Sequence, residues 1–336
     1  MEHKRGRMIL TGLLALVALS LIFLVLFRGN GAQAMELLLA LSPADLLLPL
    51  LLGAGYQWMD SWICRSLVRL HIPTFSFYSA WKVVHLNIFG AVASFGTASV
   101  PLQSYALHQK GIPVGAGVGL MTLEYVFHKC SILLYATVLL AAQWPWLREA
   151  APELARYLPP AYCVIALIIT ALTLLCTWSK VQQIARWAAE RLPETGKWGL
   201  RKEKIQIQLD ALYAQSRLLL RDWRLCGKVL ALNGGKLFLL FVLPFVCMKT
   251  LGVPCPAFAR MQLLSALMLL ITSVLPNVAG AGPTEFAFLM IFSPHVGGDA
   301  ALTALLLYRL VTYYLPFLVS IFPFCTIQQV SKGKRK

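Results

Sequence analysis

The sequence predicts an all-α polytopic membrane protein, with about six full transmembrane helices plus two re-entrant or broken helical hairpins arranged as an inverted-topology repeat. Three observations predict it. The 336-residue chain is 58% hydrophobic and 13% charged, with a mean hydropathy of +0.69, whereas a soluble domain carries about 25% charged residues. Its apolar residues fall in uninterrupted runs of the length that crosses a hydrocarbon layer of about 30 Å. Its cations are segregated between alternate connecting segments.

The elements follow in chain order. Residues 8–27 hold no charge between Arg7 and Arg28 and form a first span; they lack the short apolar region and small-residue cleavage site of a signal peptide. Residues 46–63 return, and Arg65, Arg69 and Lys82 mark the side reached. The next full span is 122–142, because the weakly charged loop 143–160 must lie on the far side and 161–178 must come back to the basic stretch 179–228. Residues 83–113 therefore begin and end on one side, as a hairpin. The second half mirrors this. Residues 229–248 cross and 300–330 return to the basic tail, which leaves 261–293 as a hairpin opening on the far side. Its middle, from Pro276 to Glu285, contains Pro276, Gly280, Gly282 and Pro283 and breaks a helix. Non-helical backbone at membrane depth survives only where protein or a wet cavity satisfies it. Two such segments from opposite faces are how inverted-repeat transporters build a site at mid-depth.

The domain reading is one integral membrane domain, 1–336. Its first half, 1–178, holds hairpin 83–113; 179–228 is a cytoplasmic amphipathic linker; the second half, 229–336, holds hairpin 261–293. Within the linker, Leu209, Leu212, Leu219 and Leu220 recur among charges, so 202–224 is expected as an amphipathic helix on the membrane surface or against the bundle. Trp58, Trp62, Trp144, Trp146 and Trp178 fall at predicted span ends, as an aromatic belt does.

With the amino terminus in the cytoplasm, 22 of the 30 Lys and Arg lie on that side and five, Arg28, Arg148, Arg156, Lys249 and Arg260, on the other. That bias is the positive-inside rule, and it predicts a multi-pass protein of the cell (inner, cytoplasmic) membrane with both termini inside. The net charge of +16 is thus a topology signal, and nucleic acid is not expected as a partner. A face this basic attracts anionic headgroups, by about 1 kcal/mol per cation. The eight cysteines show no CxxC and no nearby His at ligand spacing, so they read as packing residues. Neither a metal nor a cofactor is expected. A P-loop, a GxSxG elbow and a hydrolase-like carboxylate or His cluster are all absent from the sequence.

Charge inside a bilayer is costly and marks function by default. Glu124, His128 and Lys129 share one span, with Glu124 and His128 one helical turn apart; His85 lies in the first hairpin, Glu285 follows the Gly-rich break, and Arg309 sits in the last span. Lys236, near a span end, is expected to snorkel. Either Glu124 or Glu285 is a partner for Arg309, and such a pair either locks the bundle or lines a polar path. Gly280 and Gly282 favour the path, because they let backbone approach a ligand and turn free amides toward an anion. A weak internal similarity supports the repeat: Pro101, Gln103 and Tyr105 precede a span with Glu124 and Tyr125, and Pro283, Glu285 and Phe286 precede one with Tyr308 and Arg309.

At these residues the chain resembles the membrane domain of the lysylphosphatidylglycerol synthase/flippase family, also called the multiple peptide resistance factor family. The stretch Pro101, Gln103, Tyr105, Leu107, Gly111, Ile112 is similar to the family's Pro-Met-Gln-x-Tyr-x-Leu-x-x-x-Gly-Ile. Leu275 and Pro276 through Gly280, Gly282, Pro283, Thr284 and Glu285 match a second motif, and Arg309, Thr312, Tyr313, Tyr314 and Pro316 resemble an Arg-x-x-Thr-Tyr-Tyr-x-Pro ending. Ala98, Ser99 and Val100 depart from the family's Gly-Gly-Gln, and Phe286 and Ala287 from a Gly pair. The resemblance implies translocation of a phospholipid, including an aminoacylated phosphatidylglycerol, which contributes to surface charge and resistance to cationic peptides. The expected path residues are Pro101, Gln103, Tyr105, Glu124, His128, Gly280, Gly282, Glu285, Arg309 and Tyr313, with none catalytic. Expected partners are an anionic or aminoacylated phospholipid, the membrane, a separate aminoacyl-lipid synthase and a second copy in a homodimer. Two alternatives stay open. One is phosphatidylglycerol lysyltransferase activity or an accessory role beside a separate synthase, disfavoured because the aminoacyl-transferase domain of full-length relatives is not in this sequence; the other is an ion-coupled small-solute transporter.

Overall fold

The computed structural model describes residues 36, 38–94, 96–191, 197–273 and 282–333. The expected first span, 8–27, and the break at 274–281 lie outside them. Among the described residues the chain is helical, with no strand: α1 (Pro43–Val68), α2 (Phe77–Ala93), α3 (Ser99–His108), α4 (Val114–Ala150), α5 (Pro152–Thr177), α6 (Ser179–Glu190), α7 (Lys197–Leu220), α8 (Trp223–Thr250), α9 (Phe258–Thr272), α10 (Pro283–Val296), α11 (Gly298–Arg309), a π-helical turn (Leu310–Tyr314) and α12 (Leu315–Gly333). Among the described residues, four stretches are long and apolar enough to cross a membrane: Val114–Ala150, Leu158–Thr177, Trp223–Thr250 and Gly298–Ile327. α1, at 26 residues, matches α5 in length. The chain is an all-α polytopic membrane protein.

Local chemistry sets the boundaries. Ser42 caps α1 in a reciprocal box with Asp45. Asp222 caps α8 by accepting from the Leu225 N–H. The π turn follows from Pro316, which has no N–H to offer and whose ring would collide with the Thr312 carbonyl in a regular helix. Widening to an i→i+5 bond, Leu315 N–H to Leu310 C=O, makes room for it. The predicted loop 143–160 is not a loop: α4 runs to Ala150 and α5 restarts at Pro152, so Ala151 alone leaves the helix.

Two sets of helices pack in the same way. α1 is followed by the α2–α3 hairpin and then α4; α8 is followed by the α9–α10 hairpin and then α11, the π turn and α12. In each set the first helix packs on the hairpin's first arm and the second arm packs on the closing helix. Within the sets, α8 meets α11 as α1 meets α4; across them, α2 meets α12 as α9 meets α4, and α1 and α8 pack on each other. These pairings recur in both halves, whereas the contacts of α4 with α5 and α7 have no counterpart in the second half.

The apolar interior divides in two. One core, around α2 and α3, takes in Ile63 and Leu67 of α1, Leu120 and Leu123 of α4, and Val229 of α8. The other, around α9 and α10, takes in Ile132 and Ala136 of α4, Leu237 and Phe241 of α8, and Leu305 of α11. α4 and α8 run through both. Between the cores lies a waist at the level of Asp60, Glu124–Lys129 and Asn233–Lys236.

Glycines allow the closest crossings. A Cβ on Gly119 of α4 would stand 2.5 Å from the Ala211 carbonyl oxygen of α7, and one on Gly53 of α1 would stand 2.3 Å from Val311 Cγ1 in the π turn. α7 lies along α4, burying Leu212, Tyr213, Ser216 and Leu219. Of the two placements expected for 202–224, packing on the bundle is the one adopted. α6 is the amphipathic member, with Ile184 and Trp187 exposed one turn apart.

Candidate functional site: a buried ion pair and a polar waist

Gly282 starts the site. Its φ of +93° is a backbone state other residues reach only with strain, and it turns the chain out of the break into α10. Pro283 follows at the first helical position, where its missing N–H costs no bond. Glu285, in the first turn, takes the Gly282 N–H on Oε2 at 2.6 Å and stands where a helix N-terminus favours negative charge. Its other oxygen, Oε1, accepts from Arg309 Nε at 2.6 Å and lies 2.6 Å from Nη2. Both side chains are buried, at 9% and 7% exposed. The Arg309 guanidinium also lies 5.1 Å from the Tyr313 ring centre, which the π turn brings one turn beyond it. Glu285, and not Glu124, is thus the partner of Arg309, and Gly282, Glu285, Arg309 and Tyr313 form one group at the inner end of the α9–α10 hairpin.

A second group occupies the waist. Lys236 does not snorkel; it is 4% exposed, paired with Asp60 of α1, and its ammonium lies 5.1 Å from the Tyr56 ring centre. Glu124 of α4 interacts electrostatically with both Asp60 and Lys236. His128, one turn on, lies beside Asn233 of α8. His128 Nδ1 and Asn233 Oδ1 are buried and lack hydrogen-bond partners among the described residues. Lys129 turns away from this group, donating to Ser273 at the end of α9 at 2.9 Å and lying 5.2 Å from the Tyr125 ring.

The remaining expected residues are distributed differently. Gln103 is buried on α3 while Pro101 and Tyr105 are exposed there, and α3 packs on α2 and α4, away from α10 and α11. Gly280 lies outside the described residues. His85 is buried on α2, its Nδ1–H donating to the Trp81 carbonyl at 2.9 Å. Asp60, Tyr56 and Asn233 were not singled out by sequence reasoning. The signal for Asp60 was present, an acid inside the apolar run 46–63. At the open end of the first hairpin a cavity of about 260 Å³ is lined by Tyr78, Ser79, Lys82, Gln109, Lys110 and Thr326, among others, with two ammonium groups and no carboxylate among its lining residues.

A helical bundle of two equivalently packed halves, with ionisable residues paired at its waist, defines a polytopic membrane protein whose polar groups are held inside the span. Compared with known families, the chain matches the one described as lysylphosphatidylglycerol synthase TM region over residues 9–320, and it belongs to that family. Membership gives it a membrane, lipid-related role. None of the curated proteins compared with it matches.

Proposed function

We propose that the protein moves a phospholipid headgroup between leaflets, with Glu285 and Arg309 as the polar centre of the path. The observation that carries this is the buried Glu285–Arg309 pair at the first turn of α10. A headgroup with a phosphate and an ammonium, as in an aminoacylated phosphatidylglycerol, replaces each member's partner in kind: phosphate on Arg309 and ammonium on Glu285. Exchange of one ion pair for two avoids the cost of exposing any charge to hydrocarbon. Tyr313 and Gly282 hold the pair; Gln103, Tyr105 and Pro101 line the opposite hairpin, and Glu124 and His128 stand between. The basic cavity at Lys82 and Lys110 suits the phosphate of a lipid arriving at the face that the positive-inside rule assigns to the cytoplasm.

The test is leaflet exchange of fluorescent lipids in liposomes holding the purified protein, with anionic, zwitterionic and aminoacylated headgroups compared. Wild-type protein is expected to speed exchange, and Glu285→Gln and Arg309→Met to slow it at least tenfold. No acceleration for any headgroup refutes the reading. The alternative of lysyltransferase activity predicts lysylated lipid in a host expressing this chain alone.

A further inference from the structure

α6 begins one residue after a membrane span. α5 ends at Thr177, and Trp178 between the two helices is extended, with φ −102° and ψ 114°, so α6 sets off in a new direction from the end of the span. Its two faces differ. Gln182, Arg186 and Ala189 follow at helical spacing and share one face, which is turned to α7: Gln182 and Ala189 are buried, the Gln182 carbonyl accepts from the Tyr213 hydroxyl at 3.2 Å, and Arg186 pairs with Asp210 at 2.8 Å. Lys180, Ile184, Trp187 and, at the C-cap, Arg191 repeat that spacing on the opposite face, because residues two apart on a helix point about 200° from each other. Ile184 and Trp187 are 63% and 53% exposed, and Lys180 and Arg191 are exposed beside them. The Arg191 guanidinium lies 3.7 Å from the Trp187 ring centre. Among the described residues α6 packs on α5 and α7, and both contacts leave this outer stripe uncovered.

The chemistry of the stripe fits a lipid surface. α5 exposes Val164, Leu167 and Ile168 within a stretch apolar enough to cross a membrane, so acyl chains cover that side, and the exposed Trp178 carries the apolar surface to the end of the span. A helix facing water would be polar on its outer side, and the centre of a protein interface is depleted of charge. Here two apolar side chains are bracketed by two cations, as in a helix lying in the headgroup layer. Lys180 and Arg191 stand about 16 Å apart along the axis, far enough to meet separate phosphates. Glu190 lies about a quarter turn off the stripe, and Arg186, on the inner face, is engaged by Asp210.

We propose that α6 is a docking surface for anionic phospholipid in the leaflet that the positive-inside rule assigns to the cytoplasm, with Ile184 and Trp187 in the acyl boundary and Lys180 and Arg191 on headgroup phosphates. This seating does not depend on lipid translocation. The test uses the full chain in nanodiscs of phosphatidylglycerol and phosphatidylcholine, with bromine on the upper acyl chain of one lipid or the other, and takes Trp187 emission as the difference between wild-type protein and Trp187→Phe. Trp187 should be quenched by brominated lipid, about twofold or more strongly when the bromine is on the anionic lipid. Lys180→Gln with Arg191→Gln, or high salt, should bring the ratio of the two to one; the ratio cancels any change that loss of the stacked guanidinium makes to the emission itself. Emission quenched by aqueous iodide and not by lipid places the stripe in water and overturns the proposal. Emission reached by neither places it under protein, such as a second copy, and overturns it equally. Equal quenching by both lipids in wild-type protein overturns the recruitment of anionic lipid and supports the seating alone.

Discussion

Removing both members of the Glu285–Arg309 pair should cost the protein less stability than the two single losses added together. Arg309 directs Nε and Nη2 at a single oxygen, each at 2.6 Å, and both side chains are more than nine-tenths buried. Breaking a pair in such surroundings costs about 3–5 kcal/mol, because the survivor is left as an uncompensated buried charge. Arg309→Met removes the guanidinium and leaves the Glu285 carboxylate, among the described residues, on the Gly282 N–H. Glu285→Gln leaves the guanidinium charged, and a carboxamide has one oxygen where two acceptor roles need filling. Each single variant should therefore lose about 3–5 kcal/mol, while the double variant should lose less than the sum by about 2 kcal/mol or more. Thermal or denaturant unfolding in detergent micelles, followed by tryptophan fluorescence, measures this. Single losses under about 1 kcal/mol, or a double loss equal to the sum, would refute the reasoning. The same double variant separates lock from path: if it folds well yet fails to exchange lipid, the pair belongs to the path, and if it exchanges lipid normally, the pair only locks the bundle.

Other predictions test the surrounding structure. Gly119→Ala places a methyl 2.5 Å from the Ala211 carbonyl oxygen, where backbone cannot yield cheaply; a loss of about 1–3 kcal/mol and faster protease cleavage within α7 are expected. Gly282→Ala must hold φ near +93°, at a cost of about 1–2 kcal/mol, and should mimic Glu285→Gln in the exchange assay by displacing the N–H that holds Oε2. Lys236→Met strands Asp60 and should destabilise by about 3–5 kcal/mol, with Asp60→Asn in the same chain recovering part of it. Lys82→Gln with Lys110→Gln should leave thermal stability within about 0.5 kcal/mol while lowering binding of anionic over zwitterionic lipid vesicles, read by sedimentation with nanodisc-embedded protein at low salt.

Much of the fold was legible because lipid leaves few choices. Uncharged runs gave the spans, and the parity of basic segments demanded that 83–113 and 261–293 turn back; the helices α2, α3, α9 and α10 occupy those stretches. The continuity of α4 into Trp146 and Arg148 was not legible, since a polar, Trp-rich stretch near an interface reads as a loop until Gln143 is seen to donate to the Ala259 carbonyl. The Glu285–Arg309 pair was one of two options that sequence could not separate, because a covalent distance of 24 residues says nothing of which acid folds onto Arg309. Lys236 was misread for a clear reason. Position along a helix suggested a route to the surface, but its direction is set by the Asp60 carboxylate on a helix 176 residues away in sequence. The π turn had a sequence signal in Pro316, which conflicts with any unbroken helix through Thr312.

Two apolar cores that share α4 and α8 as common axles make the bundle mechanically two bodies. Each hairpin closes its own half, so one half is able to loosen while the other holds, and the seam along which they part is the layer where the ion pairs sit. In hydrogen exchange such a molecule would open in two steps, α2 and α3 in one and α9 and α10 in the other, where a single continuous core would release all four together.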